Sequence, residues 1–226
     1  TSLFGAEGEL HAVGIKGYAS NVVPGQPGDS WPHLVESERG DFMDVSVARD
    51  GTVVGCTKDG RVMRWSSSRW STLLASPIPA SRVEAISATD VWAVGVVRAP
   101  GGEFRMALMA THFDGNAWST PAELTPVGYT GYVSDIWASG SSDAWVVGQG
   151  IAHFDGTRWE TIEAKYQSGY APFDGVHGTG PNDVWFGGQN IIFHWDGVRA
   201  RQVELPPELA DYNERRTGKV FATAPN

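Results

Sequence analysis

The stretch that decides the fold is Ser139–Trp159, SGSSDAWVVGQGIAHFDGTRW, because versions of it recur along the chain. It predicts a tight turn at Ser141–Asp143, a strand over Ala144–Val147, a glycine-bearing bend and a second strand over Ile151–Phe154. Asp155-Gly156 then turns the chain into a third strand, since glycine accepts the positive φ that a tight hairpin needs. The local structure is therefore β.

Two anchors define the repeat. The first is a hexapeptide with aspartate, tryptophan and a final glycine at fixed places, found at Asp90–Gly95, Asp143–Gly148 and Asp183–Gly188. The second is His-aromatic-Asp-Gly, whose aspartates, Asp114, Asp155 and Asp196, lie 41 residues apart. Fainter copies of the unit occur at Asp50–Trp65 and Glu9–Gly14. Periodicity of this length indicates a repeat architecture.

Each unit supplies four short antiparallel strands, of which Ser134–Ala138 exemplifies the first, and this is the pattern of a propeller blade. The predicted fold is all-β, a β-propeller of four-stranded antiparallel blades, with about five blade units plus the first strand of a further blade. Only Pro207–Arg216 could hold a turn or two of helix. Within a single domain, 1–226, the predicted units are residues 1–40, 41–79, 80–125, 126–168 and 169–210, and residues 211–226 start another blade.

The last residues repeat an earlier strand start. Lys219–Asn226 matches Val176–Asn182. In the earlier copy, Asp183 follows and is predicted to begin the next strand. One interpretation is a five-bladed ring closed by terminal overlap. The other, which we favour because sheets avoid spare edges, is part of a larger propeller, either cut at a repeat junction or completed by a second chain.

The units Asp-Val-Trp-Ala-Val-Gly and His-Phe-Asp-Gly-x-x-Trp resemble tectonin-like and related β-propeller repeats of bacterial surface and secreted proteins, a group that includes tachylectin-type lectins. The resemblance covers Leu3–Asn226. It implies a propeller, a glycan ligand, and an extracellular, cell-surface or periplasmic location. The Asp box of sialidases is not reproduced, because aspartate and glycine are adjacent here.

Charge and composition exclude several classes of function. A net charge of −9 and a pI near 5.1 argue against binding to nucleic acid or to an anionic membrane surface. No apolar stretch approaches the length that spans a membrane, so no membrane insertion is expected. The single cysteine, Cys56, cannot form an intrachain disulfide, and its apolar strand predicts a buried side chain.

No metal site, cofactor or catalytic group is predicted. The repeated histidines occupy one repeat position on different blades, so a structural role is favoured over zinc, which needs ligands that converge. They are His112, His153 and His194. The Asp-Gly aspartates are expected to form turns, and Asp90, Asp143 and Asp183 to close Asx-type turns. Calcium stays an open alternative, although no loop clusters several oxygen ligands.

Strand parity predicts the working face. Turns between strands one and two, and between three and four, are short and open on one face. The remaining connections open on the other face and vary. They are the insertion Val96–Arg105 and the crossovers Pro121–Gly131, Glu163–Pro172 and Glu204–Gly218. Variable loops on a rigid scaffold carry function. The candidate ligand-binding residues are Arg98, Glu103, Phe104, Arg105, Tyr129, Tyr166, Tyr170 and Tyr212.

The sequence therefore predicts a non-enzymatic ligand-recognition propeller, with a glycan as its ligand on the long-loop face. The alternative is a protein–protein scaffold, for which one asymmetric interface centred on Val96–Arg105 is expected. A glycosidase or lyase is the third hypothesis, because paired carboxylates from different blades leave no local signature.

Overall fold

The computed structural model describes residues 2–4, 10–13, 19–22, 42–66, 69–98, 106–124, 133–166, 169–170, 172–188, 191–205 and 218–223. Regular structure in these ranges consists of strands alone, so they contain no helix that could span a membrane. The helical turn considered for Pro207–Arg216 lies outside the described residues.

The chain begins with a three-stranded antiparallel sheet of β1 (Ser2–Phe4), β2 (Leu10–Val13) and β3 (Ala19–Val22). Four four-stranded antiparallel sheets follow, each made of consecutive strands. Sheet A contains β4 (Phe42–Val47), β5 (Val53–Thr57), β6 (Val62–Ser66) and β7 (Arg69–Thr72). Sheet B contains β8 (Arg82–Ser87), β9 (Asp90–Arg98), β10 (Met106–Phe113) and β11 (Ala122–Glu123).

Sheet C contains β12 (Asp135–Gly140), β13 (Asp143–Val147), β14 (Ile151–Phe154) and β15 (Trp159–Ile162). A two-stranded ribbon follows, with β16 (Lys165–Tyr166) and β17 (Gly169–Tyr170). Sheet D contains β18 (Phe173–Gly180), β19 (Asp183–Gly188), β20 (Ile191–Trp195) and β21 (Ala200–Val203). The all-β class and the four-stranded unit predicted from the sequence are confirmed. The first strand of sheet C continues to Gly140, because a register shift lets Gly140 pair with Asp143.

The chain divides into two compact units, residues 1–95 with 110–121, and residues 96–109 with 122–226. The boundary passes through sheet B. The core of the first unit is formed by apolar side chains of sheets A and B, including Val54, Cys56, Val83 and Val91, each at most 2% exposed.

The core of the second unit lies between sheets C and D. Trp145 and Ile151 of sheet C pack with Phe173, Phe186 and Phe193 of sheet D, and most of these side chains are fully buried. The Trp145 and Phe186 rings have centroids 5.5 Å apart. Aromatic residues at repeated positions therefore fill the space between neighbouring sheets, because they bring the largest apolar area per residue.

An aspartate at the start of the second strand links three strands in each of sheets C and D. In sheet C, the Asp143 carboxylate accepts hydrogen bonds from Ser139 Oγ (2.6 Å), Trp145 Nε1 (3.1 Å) and His153 Nε2 (2.8 Å). The His153 ring stacks on the Trp145 indole with centroids 3.8 Å apart. One buried carboxylate thus satisfies donors from β12, β13 and β14, which a sheet interior requires.

Sheet D repeats this arrangement around Asp183. Its carboxylate accepts from Thr179 Oγ1 (2.5 Å), Trp185 Nε1 (3.0 Å) and His194 Nε2 (2.7 Å). Burial acts to raise the pKa of Asp183, but the hydrogen bonds from these three donors outweigh it and the pKa lies below its ordinary value. In sheet B, Asp90 lies 2.7 Å from Nε2 of His112. These aspartates were expected to close Asx-type turns; the structure uses them to join strands.

The aspartates of the Asp-Gly pairs form turns, as predicted. Asp155 Oδ1 accepts the main-chain amides of Thr157 (2.8 Å) and Arg158 (2.9 Å), together with the Thr157 hydroxyl (2.6 Å). These bonds, led by that from the hydroxyl, lower the pKa of Asp155 to about 2. Gly156 follows with φ at 93°, a value that glycine adopts without strain.

Gly178 in β18 should tolerate no side chain. A Cβ atom there would lie 2.6 Å from the Trp137 ring and 2.7 Å from the main-chain oxygen of Asp183. We expect Gly178→Ala to lower the free energy of unfolding by about 1–3 kcal/mol, measured by urea denaturation. Gly180→Ala is the matched control, because its Cβ would meet no atom within 4 Å. The control should change stability by about 0.5 kcal/mol or less, and equal losses in both variants would contradict the steric explanation.

Asp143→Ala should destabilise the chain strongly, because it leaves the Trp145 and His153 donors buried without an acceptor. We expect a loss of about 2–5 kcal/mol in urea denaturation. Glu160→Ala is the control, since Glu160 is a second carboxylate near His153 (3.8 Å) but is partly exposed. It should cost about 0.5 kcal/mol or less. A loss for Asp143→Ala no larger than that of the control would show that the carboxylate does not hold the sheet.

Candidate functional site

The connections within each sheet gather at its two ends. The turn between strands one and two lies against the turn between strands three and four. A Cβ atom on Gly156 would lie 3.2 Å from the main-chain oxygen of Ser142, and one on Gly197 would lie 2.7 Å from Oδ1 of Asn182. We call this the short-turn end.

The other end, the long-connection end, carries the turn between strands two and three together with the crossover to the next sheet. In sheet A, Ala80 N donates to Gly60 O (3.2 Å), and in sheet C, Phe173 N donates to Gly148 O (2.7 Å). These bonds fasten each crossover to the turn beside it. The grouping is the one that strand parity predicts.

Sheet B differs from the other four-stranded sheets by a long hairpin at this end. Strands β9 and β10 contain nine and eight residues, whereas β13 and β14 contain five and four. Trp92 and His112 are ring neighbours across the hairpin, with centroids 4.6 Å apart. A continuous register from this pair places Arg98 opposite Met106. Six residues of β9 follow Trp92 and two residues of β13 follow Trp145, so the hairpin of sheet B is longer by four residues, about 13 Å at roughly 3.3 Å each.

The base of this hairpin extension, residues 95–98 and 106–109, is held by packing and its tip is in solvent. Ala107 and Leu108 are buried, and Leu108 O accepts the amide of Leu124 (2.8 Å). Arg98 is exposed, and Met106 is 46% exposed. The tip thus offers a cationic and an apolar side chain on a stiff ribbon. Met106 was missed by sequence analysis, although its position beside the insertion was a usable signal.

The structure places only part of the predicted ligand site. Arg98 ends β9 at the hairpin tip. Tyr166 and Tyr170 lie on β16 and β17, where Tyr166 is opposite Gly169 and Tyr170 is opposite Lys165, so the two tyrosines are not cross-strand partners. The remaining candidates lie outside the described residues: Glu103, Phe104, Arg105, Tyr129 and Tyr212. The assignment of all eight to a ligand site stays a prediction.

The residues most suited to metal or acid–base chemistry have structural partners. Nε2 of each repeated histidine is hydrogen-bonded to the carboxylate of the aspartate in its own sheet. This is the structural role predicted for the three histidines. No group of three or more His, Cys, Asp or Glu side chains that could hold a metal ion occurs within the described ranges. Cys56 is fully buried, as predicted, and burial raises the pKa of its thiol.

Ser139 and Thr179 were also overlooked at the level of sequence. Each lies four residues before the aspartate that it binds, and the repeat alignment carries that signal in SGSSD and TGPND. Both belong to the framework, so they support the site indirectly by fixing where the strands end.

No protein-family model and no curated protein sequence matches the chain. Solved structures of β-propellers do match it. The WD40 repeats of RRP9 superpose with a TM-score of 0.62 at 8% identity, over 86% of this chain and 58% of that one. YCF48 bound to D1 peptide gives 0.56 at 14% identity, over 88% and 62%. YCF48 from Cyanidioschyzon merolae gives 0.54 at 17% identity, over 87% and 64%. The chain spans about three fifths of the length of these structures, and its fold is that of a β-propeller.

Proposed function

We propose that this chain is a non-enzymatic recognition propeller that binds a protein partner at its long-connection end, with the hairpin extension as the main contact. The observation that carries the proposal is the asymmetry of the sheets. Among the four-stranded sheets that the described residues form, sheet B differs from the others by strands of eight and nine residues in its central hairpin. A ligand that binds equivalent sites on every sheet would favour hairpins of equal length. A single protein interface favours one hairpin that differs from the rest.

The chemistry of the tip suits a protein surface. An arginine and a methionine are both enriched in protein interfaces, where arginine forms directed hydrogen bonds and methionine adapts its shape. Arg98 and Met106 stand at the ends of paired strands, so little backbone conformational entropy is lost when they bind. The solved complex of YCF48 with D1 peptide supports the proposal, because it shows that a propeller of similar fold binds a peptide.

The structural use of the aspartates and histidines supports a role without catalysis. Asp143 and Asp183 are engaged with three donors each, so neither carboxylate is available to act on a substrate. A general acid or base needs a free position within reach of its substrate.

A glycan is the second candidate ligand, as the lectin resemblance implies. The observation that favours it is the ribbon of β16 and β17, which places Tyr166 and Tyr170 on paired strands of the crossover Glu163–Pro172. Tyrosine combines an apolar ring with a polar tip, which suits a sugar. An extracellular, cell-surface or periplasmic location belongs to this proposal.

Photo-crosslinking in the native host tests the protein interface. A benzoyl-phenylalanine at position 98 should yield one discrete protein adduct. The same group at position 158 is the control, because Arg158 is 76% exposed but lies at the short-turn end. Position 158 should yield no such adduct. Equal labelling from both positions, or none from position 98 in the folded protein, would contradict the proposed interface.

A glycan array of the purified chain, run with and without a chelator, tests the second candidate. If the ligand is a glycan, we expect saturable binding to one sugar class, inhibition by a simple sugar, and loss of binding in the Tyr166→Ala, Tyr170→Ala double variant. Sensitivity to the chelator would indicate calcium. A blank array with correctly folded protein, together with an adduct from position 98, would leave the protein ligand.

A further inference from the structure

The base of the hairpin extension meets the crossover that joins sheets A and B. Residues 78–81, which we call the incoming crossover, pass directly over Gly95 of β9. A Cβ atom on Gly95 would lie 2.0 Å from the main-chain oxygen of Pro79 and 2.9 Å from its carbonyl carbon. Beside this contact, Ser81 N donates a hydrogen bond to Val94 O (2.8 Å). The main chain of the crossover therefore lies on the main chain of β9, and only glycine fits between them.

The incoming crossover is also fixed to sheet A. Ala80 N donates a hydrogen bond to Gly60 O (3.2 Å). A Cβ atom on Gly60 would lie 2.7 Å from Cα of Pro79, and Ile78 and Ala80 are each 3% exposed. The proline ring fixes φ of Pro79, so the carbonyl carbon of that residue has little freedom to move away from Gly95. The incoming crossover is therefore a rigid spacer between sheet A and the base of the hairpin extension.

The same contact occurs in sheet D, where a short hairpin follows it. A Cβ atom on Gly188 would lie 2.2 Å from the main-chain oxygen of Pro172. In both crossovers, the residue after the proline is hydrogen-bonded to the preceding sheet. Gly188 ends β19, and β20 begins at Ile191, whereas β9 continues past its contact to Arg98. Sheet D thus has the contact where a strand ends, and sheet B has it at the base of a projecting ribbon.

The other strand of the hairpin extension has its own fixed point. Leu108 O of β10 accepts the amide of Leu124 (2.8 Å), and Ala107 and Leu108 are buried. Each strand of the ribbon is therefore held at its base by one crossover. Two fixed points determine the direction of a stiff ribbon, because each prevents rotation about the other.

We propose that the Pro79 carbonyl group and Gly95 form a clamp that sets the direction of the hairpin extension, which makes Gly95 a positioning residue for the protein interface. The inference deepens the proposed function and rests on it, because the direction matters for binding only if Arg98 and Met106 contact a partner. Side chains at a binding site must be held to within about 0.5 Å of the productive geometry. A side chain at position 95 needs a shift of about 1 Å, because a Cβ atom does not come nearer than about 3.0 Å to another heavy atom.

The distance between two spin labels, measured by double electron–electron resonance on the whole chain, tests the clamp without a partner. Met106→Cys and Arg158→Cys carry the labels, since both side chains are exposed, and the buried Cys56 takes none. We expect Gly95→Ala to shift or broaden the distance distribution. Gly188→Ala is the matched control, because it places the same Cβ atom against a proline carbonyl in sheet D. The control should leave the distribution unchanged.

The photo-adduct from position 98 tests the consequence for binding. Benzoyl-phenylalanine is placed at that position in the native host, and adduct yields are compared at equal amounts of folded protein. Gly95→Ala should lower the yield at least about fivefold, because it misplaces a main contact of the interface. Gly188→Ala should leave the yield unchanged.

A second pair of variants keeps the clamp testable if Gly95→Ala does not fold. Pro79→Gly adds no atom and frees the carbonyl group, so the chain should fold and the distance distribution should broaden. Pro172→Gly is its matched control in sheet D and should leave the distribution unchanged. Unchanged distances in a folded clamp variant, or equal changes in a clamp variant and its control, would overturn the inference.

The inference and the proposed function fail separately. An adduct from position 98 whose yield the folded clamp variants do not lower would overturn the positioning role alone. A changed distance in the clamp variants, together with no adduct from the unaltered chain, would support the clamp and overturn the protein interface.

Discussion

The hydrogen bonds to a single carboxylate at the start of the second strand are the constraint on which sheets C and D depend. Asp143 joins Ser139, Trp145 and His153, and so ties together the ends of three strands that backbone pairing alone would leave free to fray. The same side chains bring an indole and an imidazole into contact, which places a large aromatic surface between neighbouring sheets. A polar interaction thereby fixes the geometry of the apolar core.

This framework separates the two ends of each sheet by role. At the short-turn end, the aspartate carboxylates accept hydrogen bonds from nearby main-chain and side-chain donors, as Asp155 and Asp183 do, and these bonds repeat from sheet to sheet. At the long-connection end, the bonds of the described residues fasten the crossovers near their bases, as between Phe173 N and Gly148 O. Substitutions at the long-connection end therefore cost little stability, whereas those at the short-turn end cost more. A recognition surface is for this reason expected at the long-connection end.

Repetition also explains how chain segments pack beside the first strands. The first strands of sheets A, C and D each present a side-chain acceptor to the chain segment packed beside them. On sheet D, glycines replace Asp135 and Val147 of sheet C, and the position becomes a groove with a backbone floor. A small change at two cross-strand partners turns a packing surface into one that admits a chain.

The strands of sheet C, the four-stranded unit and the turn role of Asp155 could be predicted from the sequence, because these depend on short-range periodicity and on glycine at fixed places. The ribbon of β16 and β17 was not predicted, because it lies in a stretch interpreted as a crossover. It also determined that the repeated histidines are structural, since equivalent positions on different sheets cannot converge. Only the tertiary structure decided that Asp143 binds three side chains instead of closing an Asx turn, and that the hairpin of sheet B rises at Arg98 and Met106. Only the tertiary structure showed that residues 218–223 contact His177, where the hydrogen-bonded residues Ala222 and His177 are 45 positions apart in the sequence. Contacts between distant residues depend on how sheets pack and in what register, and a local pattern does not encode either.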